Sequence, residues 1–285
     1  MRIALVALAV ALAGCPALSG PTPTPEVTPA PVPETEQFPP GVTEAGVVDA
    51  ETLATTHTDA VQNTSYTIVS NRTIRHRNGT VISDFDVRVE LAADRQVRAT
   101  VATTGPSAPL LLGEPPASGE FWANGTAHVS KLTTGNSTQY TEFTPPDGFV
   151  GTWRYWRSTV SFGGQGGHAQ ETLLGLFSDI PTEVADRRSV DGRQVYRLVG
   201  DSARSASFAK AGAGPVSNVS LETHVTSTGI VRQFELSYEQ QVGGEPAQVH
   251  WSLRYLDVGN TTAERPTWID RALDQSSSGP ADASS

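Results

Sequence analysis

The sequence has a single cysteine, Cys15, and only two lysines, Lys131 and Lys210; it contains no apolar run approaching the roughly 20 residues of a membrane-spanning helix. A lone cysteine cannot close an internal disulfide, so the folded part must be held by its core. The six histidines, His57, His76, His128, His168, His224 and His250, are scattered, with no His-x-x-x-His or His-Glu-x-x-His spacing. Without a second cysteine, neither a zinc site nor a haem site is expected, and no cofactor. The histidines read instead as surface residues of helices or strands. A Gly-x-Ser-x-Gly elbow and a Gly-x-x-x-x-Gly-Lys-Ser/Thr phosphate loop are both missing, so no enzyme is expected. The 30 acidic residues outnumber the 20 Lys+Arg, for a formal charge of -10. Nucleic acid needs clustered positive charge and is therefore excluded as an expected partner.

What is present begins at the N-terminus. Behind the single charge of Arg2, residues Ile3 to Ala13 form a short apolar run, the layout of a secretory leader. The run ends in Leu12-Ala13-Gly14-Cys15, which resembles the lipobox of exported lipoproteins, where the cysteine is lipidated and becomes the mature N-terminus. Residues 1–14 thus read as a signal peptide, and without a twin-arginine pair the leader reads as Sec-type. One lipid chain gives only weak, reversible membrane binding, so durable anchoring predicts a dual-chain modification at Cys15. From Pro16 to Pro40 the chain is dominated by Pro, Thr, Val, Ala and Glu, a composition that favours extended polyproline II over a core. Residues 15–45 are expected to be a lipidated cysteine and a semi-rigid stalk, holding a domain outside the cell membrane. The folded domain is expected over 46–273 and a disordered tail over 274–285.

Every asparagine of the chain, Asn63, Asn71, Asn78, Asn124, Asn136, Asn218 and Asn260, is followed two residues later by Ser or Thr with no proline between. Ser and Thr make up about a fifth of the sequence, so seven matches in seven would arise by chance roughly once in 100,000. This set points to export past a glycosylating enzyme. Asn78-Gly79 and Asn124-Gly125 are also the residues that type I′ hairpin turns require.

Asp49 to Asn63 carries an N-cap, an early acid and Leu53, Ala54, His57 and Val61 along one side, and predicts a helix. After it the period changes to two. Ser65 to Ile74 and Val81 to Ala92 flank Asn78-Gly79, and Gln96 to Thr104 follows. Phe121-Trp122 and Ala127 to Val129 flank Asn124-Gly125; Thr182 to Val190 and Arg193 to Val199 flank Asp191-Gly192. Val216 to Thr226 and Ile230 to Glu239 flank Thr228-Gly229, and Ala247 to Val258 closes the series. Further helices are predicted at His168 to Phe177 and Thr267 to Leu273. The expected fold is α+β: a large curved antiparallel sheet in a half-barrel, covered by two or three helices.

The lipobox, stalk and first helix, the Ser65-Tyr66 strand opening, the Val190-Asp191-Gly192-Arg193 hairpin, the Leu253-Arg254-Tyr255 strand, and Pro266 and Trp268 near the end together resemble an uncharacterised haloarchaeal lipoprotein family. In layout the chain is also similar to the LolA and LppX type of lipoprotein carriers. The scarcity of lysine amid excess carboxylate is likewise similar to proteins of salt-loving archaea. The resemblance implies a half-barrel closed by helices around an apolar cavity able to hold an acyl chain.

Three local features bear on a binding site. Trp153, Tyr155 and Trp156 precede the run Gly163-Gly164-Gln165-Gly166-Gly167, which reads as a mobile connection or lid. Leu173, Leu174, Leu176 and Phe177 follow in the second predicted helix, and Leu110-Leu111-Leu112 adds another apolar run. Packing between helix and sheet is the plainer account of these groups; as the sharper one, Leu111, Trp153, Tyr155, Trp156, Leu173, Leu174 and Phe177 are the candidates for lining an apolar pocket. Asp84 and Asp86 flank Phe85 on one strand face, as a paired acid or a solvated surface. The expected activity is membrane-anchored binding or carriage of an apolar ligand such as a lipid; a structural or interaction protein of the cell envelope is the alternative.

Overall fold

The computed structural model describes residues 37–142, 169–190, 192–209 and 215–277, all within one compact unit that begins at Gln37. A short ribbon comes first, β1 (Val42–Thr43) and β2 (Gly46–Val47). Helix α1 (Ala50–Gln62) follows, its start fixed by Asp49, whose Oδ1 accepts the Thr52 N–H at 2.9 Å. Hydrogen bonds from the Thr52 hydroxyl and N–H hold the Asp49 carboxyl below the usual carboxylate range. Helices α2 (Ala169–Asp179) and α3 (Ile269–Ser277) agree with the two further predicted helices to within a few residues.

Eleven strands form one antiparallel sheet. In chain order they are β3 (Tyr66–His76), β4 (Val81–Leu91), β5 (Val97–Thr104), β6 (Ala117–Ala123), β7 (His128–Thr134), β8 (Ser137–Glu142), β9 (Glu183–Val190), β10 (Arg193–Gly200), β11 (Ser217–Thr226), β12 (Val231–Val242) and β13 (Glu245–Leu256). Their spatial order is β8-β7-β6-β5-β4-β3-β13-β12-β11-β10-β9. Two consecutive meanders, β3 to β8 and β9 to β13, are thus sewn together along β3 and β13, which pair from Ala247 with His76 to Leu256 with Thr67. The chain passes from one outer edge, β8, to the other, β9, by way of α2. The turns are those the sequence calls for: Asn124 Oδ1 accepts the N–H groups of Thr126 and Ala127 at 3.1 and 2.9 Å, and Gly125 supplies the positive φ of 89° that the tight reversal needs.

The predicted alternation sorts side chains cleanly between faces. The inner face carries Tyr66 and Ile68 of β3, Phe85, Val87, Val89 and Leu91 of β4, Phe234, Leu236 and Tyr238 of β12, and Val249, Trp251, Leu253 and Tyr255 of β13. Against it lie Leu53, Ala54 and Val61 of α1 and Leu173, Leu176 and Phe177 of α2, all within one hydrophobic core. The half-barrel with helical cover is therefore present. Not every helix covers the inner face. Helix α3 lies against the outer face at the other end of the sheet, where Ile269 and Ala272 pack on Trp122 and Val129 in a separate small cluster. Glu120, on that outer face, accepts from Lys131 Nζ at 2.7 Å and from Trp268 Nε1 at 2.9 Å, tying the start of α3 to β6 and β7.

The folded unit starts earlier than expected. Val42 is buried in the main core, Phe38 lies 5.3 Å from the Tyr196 ring, and the Tyr196 hydroxyl donates to the Gln37 carbonyl at 3.1 Å. Gly46 explains why the ribbon seats so closely: a Cβ there would lie 1.9 Å from the Thr182 carbonyl oxygen, and the next residue, Val47, donates its N–H to Thr182 Oγ1 at 3.0 Å. Residues 37–45 thus belong to the domain and not to the stalk. At the other end α3 continues to Ser277, past the expected boundary at 273.

Candidate functional site

The inner face of the sheet is largely apolar, with a few polar residues such as Thr103 of β5 and Thr223 of β11. On β3 the inward residues are Tyr66, Ile68, Ser70, Arg72 and Ile74, so an arginine occupies a position that the strand's period assigns to the core. Its Nη2 donates to the Tyr238 hydroxyl at 2.9 Å, and its guanidinium carbon lies 5.4 Å from the centre of the Trp251 ring. The cage is itself braced: Trp251 meets Phe234 edge-on at 5.0 Å, Tyr238 meets Phe208 edge-on at 5.4 Å, and Trp251 Nε1 donates to Ser70 Oγ at 3.2 Å. Arg72 Nε is buried with no acceptor, and two residues beyond Tyr238 on the same face of β12, buried Gln240 leaves Oε1 without a donor. No carboxylate pairs with Arg72 among the described residues.

Phe208 reaches this cage from the segment after β10, which is clasped to the end of α2. Asp179 accepts from the Ser205 hydroxyl and from the Ser207 N–H at 2.6 Å, while its carbonyl accepts the Arg204 N–H at 2.7 Å. Burial pushes the Asp179 carboxyl up, but the hydrogen bonds from Ser205 and Ser207 outweigh it and hold the group below the usual carboxylate range.

The expected pocket residues divide. Leu173 and Phe177 are buried in the core on α2, and Leu174 is half-buried beside it. Leu111 is 38% exposed and faces away; its neighbour Leu112 takes the core position instead, because the loop turns over at the Leu111 to Gly113 bridge. Trp153, Tyr155, Trp156 and the glycine run 163–167 lie outside the described residues, as does Cys15. Arg72, Tyr238 and Trp251 escaped the sequence reading. The available signal was an arginine in phase with Tyr66, Ile68 and Ile74.

Histidines expected at the surface are partly buried. His57 is fully buried on the apolar side of α1, where Nδ1 accepts the Val231 N–H at 3.2 Å and the ring meets Tyr255 edge-on. His128 and His224 are buried too. Desolvation and the positive charge of Arg188 lower the His224 pKa from its ordinary value. Asp84 and Asp86 do share the outer face, but Asn71 Nδ2 bridges them at 3.2 and 2.7 Å and the Thr73 hydroxyl donates to Asp84 at 2.5 Å, an arrangement that satisfies them internally. Among the described residues no group of three His, Cys, Asp or Glu is placed to hold a metal, and no helix is long and apolar enough to cross a membrane.

No curated protein matches the sequence. Solved structures that it resembles include LprF from Mycobacterium bovis, at 10% identity over 76% of this chain and 96% of that one, TM-score 0.38. A LolA superfamily protein from Nitrosomonas europaea matches at 10% identity over 77% and 96%, TM-score 0.24. The MucA/MucB complex of Pseudomonas aeruginosa matches at 13% identity over 79% of this chain and 60% of that one, TM-score 0.30. Scores this low carry no function across. At the sequence level residues 1–272 match a family of unknown function, DUF7537, and the chain belongs to that family.

Proposed function

We propose that this protein is a lipoprotein anchored through Cys15 to the outer side of the cell membrane, displayed on a Pro/Thr-rich stalk, that binds or carries an apolar ligand such as a lipid without acting as an enzyme. The observation that carries the reading is the composition of the inner sheet face: aromatic and aliphatic walls, capped by two helices, with a few polar atoms left unpartnered on one row. Pockets for amphiphiles have that composition. The leader and lipobox support the anchoring half of the proposal, and the spacer after Cys15 supports display at a distance from the bilayer. The test is uptake of a fluorescent fatty-acid probe at high salt by the full-length chain carrying Cys15→Ser, which cannot be lipidated. Saturable binding is expected; none at any concentration overturns the carrier reading.

A second reading, a structural or interaction protein of the envelope, is favoured by the tightness of the main core, in which Leu53, Leu176, Phe234 and Leu236 have no exposure. Two surface cavities among the described residues have polar walls: one of about 510 Å³ is lined by Thr182, Glu183, Asp201, Ser202 and Glu222 among others, and one of about 320 Å³ by Arg193, Arg232 and Asp257 among others.

Export is also read from the sequons. Asn63, Asn78, Asn124, Asn136, Asn218 and Asn260 are all exposed, at a helix end, at turns or beside a bulge, where a glycan fits. Asn71 sits mid-strand with its amide nitrogen engaged by Asp84 and Asp86. Glycopeptide mass spectrometry of the protein from its native source should find sugar at several of the six and none at Asn71.

A further inference from the structure

We infer that Arg72 is the headgroup-binding residue of the inner face, and that the ligand is an amphiphile ending in an oxyanion, a carboxylate or a phosphate, and not a neutral lipid. The inference rests on the carrier reading and adds the chemical class of the ligand to it. A guanidinium is a permanent, planar, five-donor cation suited to forked recognition of carboxylate and phosphate. Arg72 is half-buried with its Nε fully buried, and withdrawing part of a guanidinium from water without a counter-ion carries a cost that proteins ordinarily avoid by supplying an acid. This chain has acids to spare, 30 against 20 Lys+Arg, yet none among the described residues pairs with Arg72. Its described partners are a phenol oxygen and an indole face, which orient the guanidinium without neutralising it, and its Nε–H is left with nothing to donate to.

Elsewhere the same sheet pairs its cations readily. Arg254 reaches Glu235 at 2.8 Å, Arg197 reaches Glu222 at 3.2 Å and Lys131 reaches Glu120 at 2.7 Å, all on the outer face. Arg75 and Arg193, which have no acid among the described residues either, are exposed to water, whereas Arg72 has its Nε buried. Gln240 is a second inward polar side chain of that face whose buried Oε1 lacks a partner.

The experiment compares hexadecanoate, hexadecyl phosphate and hexadecanol as ligands of the full-length Cys15→Ser chain, by displacement of the fluorescent probe. One or both acids should bind at least about tenfold more tightly than the alcohol, the scale of a charge-assisted hydrogen bond; which acid wins identifies the headgroup. Arg72→Gln should abolish the preference for acid while leaving hexadecanol binding in place, Arg72→Lys should retain part of it, and Arg254→Gln should leave it unchanged. Equal binding of acid and alcohol by the unsubstituted protein overturns the role of Arg72 while sparing the carrier reading, whatever the variants do. Failure of all three to bind overturns the carrier reading and this inference with it.

Discussion

The two faces of the eleven-stranded sheet treat charge in opposite ways. On the outer face long-chain cations meet carboxylates across or along the strands, as in Arg88 with Glu90 and Arg254 with Glu235, and these pairs sit in water where a mispaired charge costs little. On the inner face Arg72, half-buried, sits against aromatic rings with no acid paired to it among the described residues, where a mispaired charge costs more than in water. The same strands build both faces, so neither composition nor supply of acids accounts for the difference. What differs is what each face must meet: solvent on one side, and on the other two helices together with the ligand proposed above.

The contrast extends to the helices. Truncating Leu53→Ala in α1 removes a fully buried side chain from the main core and should cost about 2–5 kcal/mol, seen as a lower denaturant midpoint for the whole domain. Ile269→Ala in α3 should cost about 2 kcal/mol, but the loss should be local, because its cluster is separate from the main core. Hydrogen exchange is then expected to rise in α3 while the central strands stay protected. If both variants lower global stability alike, the outer helix is part of the same cooperative unit and the division is wrong.

Acid should loosen both attachments. The Asp179 and Glu120 carboxyls are each pushed up by burial and, on balance, held below their ordinary values by hydrogen bonds, to Asp179 from Ser205 and Ser207, to Glu120 from Lys131 and Trp268. Their folded pKa values are depressed, so the stabilisation is present above the unfolded-state values of about 3.9 and 4.3 and is lost as pH falls through the folded values. Chemical denaturation in steps from pH 6 downward should show falling stability below about pH 4.5, and Asp179→Asn should flatten part of that slope. The smallest effect is expected from Arg254→Gln, which breaks an exposed pair and should shift stability by no more than about 0.5 kcal/mol.

Much of the fold was legible because local signals agreed. The period-two runs, the Asn-Gly turns and the Asp49 cap each locate an element, and the structure places strands, turns and α1 within a few residues of those positions. The strand β8 was missed because Ser137 to Glu142 is polar on both faces, as an exposed edge strand can be, and leaves no alternation to see. The ribbon at 42–47, which straddles the expected boundary at 45, left no signal in the sequence since its burial depends on Thr182, 135 residues away from Val47, which no local pattern reports. The side on which α3 packs was illegible for the same reason. The site was less readable than the fold: a phase argument could have marked Arg72, but the convergence of Tyr238 and Trp251 on it depends on the β12-β13-β3 register.

The central claim, that the inner face receives an apolar ligand, is tested most directly by native mass spectrometry of the full-length Cys15→Ser chain purified at high salt, before and after extraction with organic solvent. The account predicts a releasable mass of lipid size that rebinds after extraction. An identical, ligand-free mass before and after, together with no rebinding, would contradict it and favour a fully packed interaction domain displayed on a stalk.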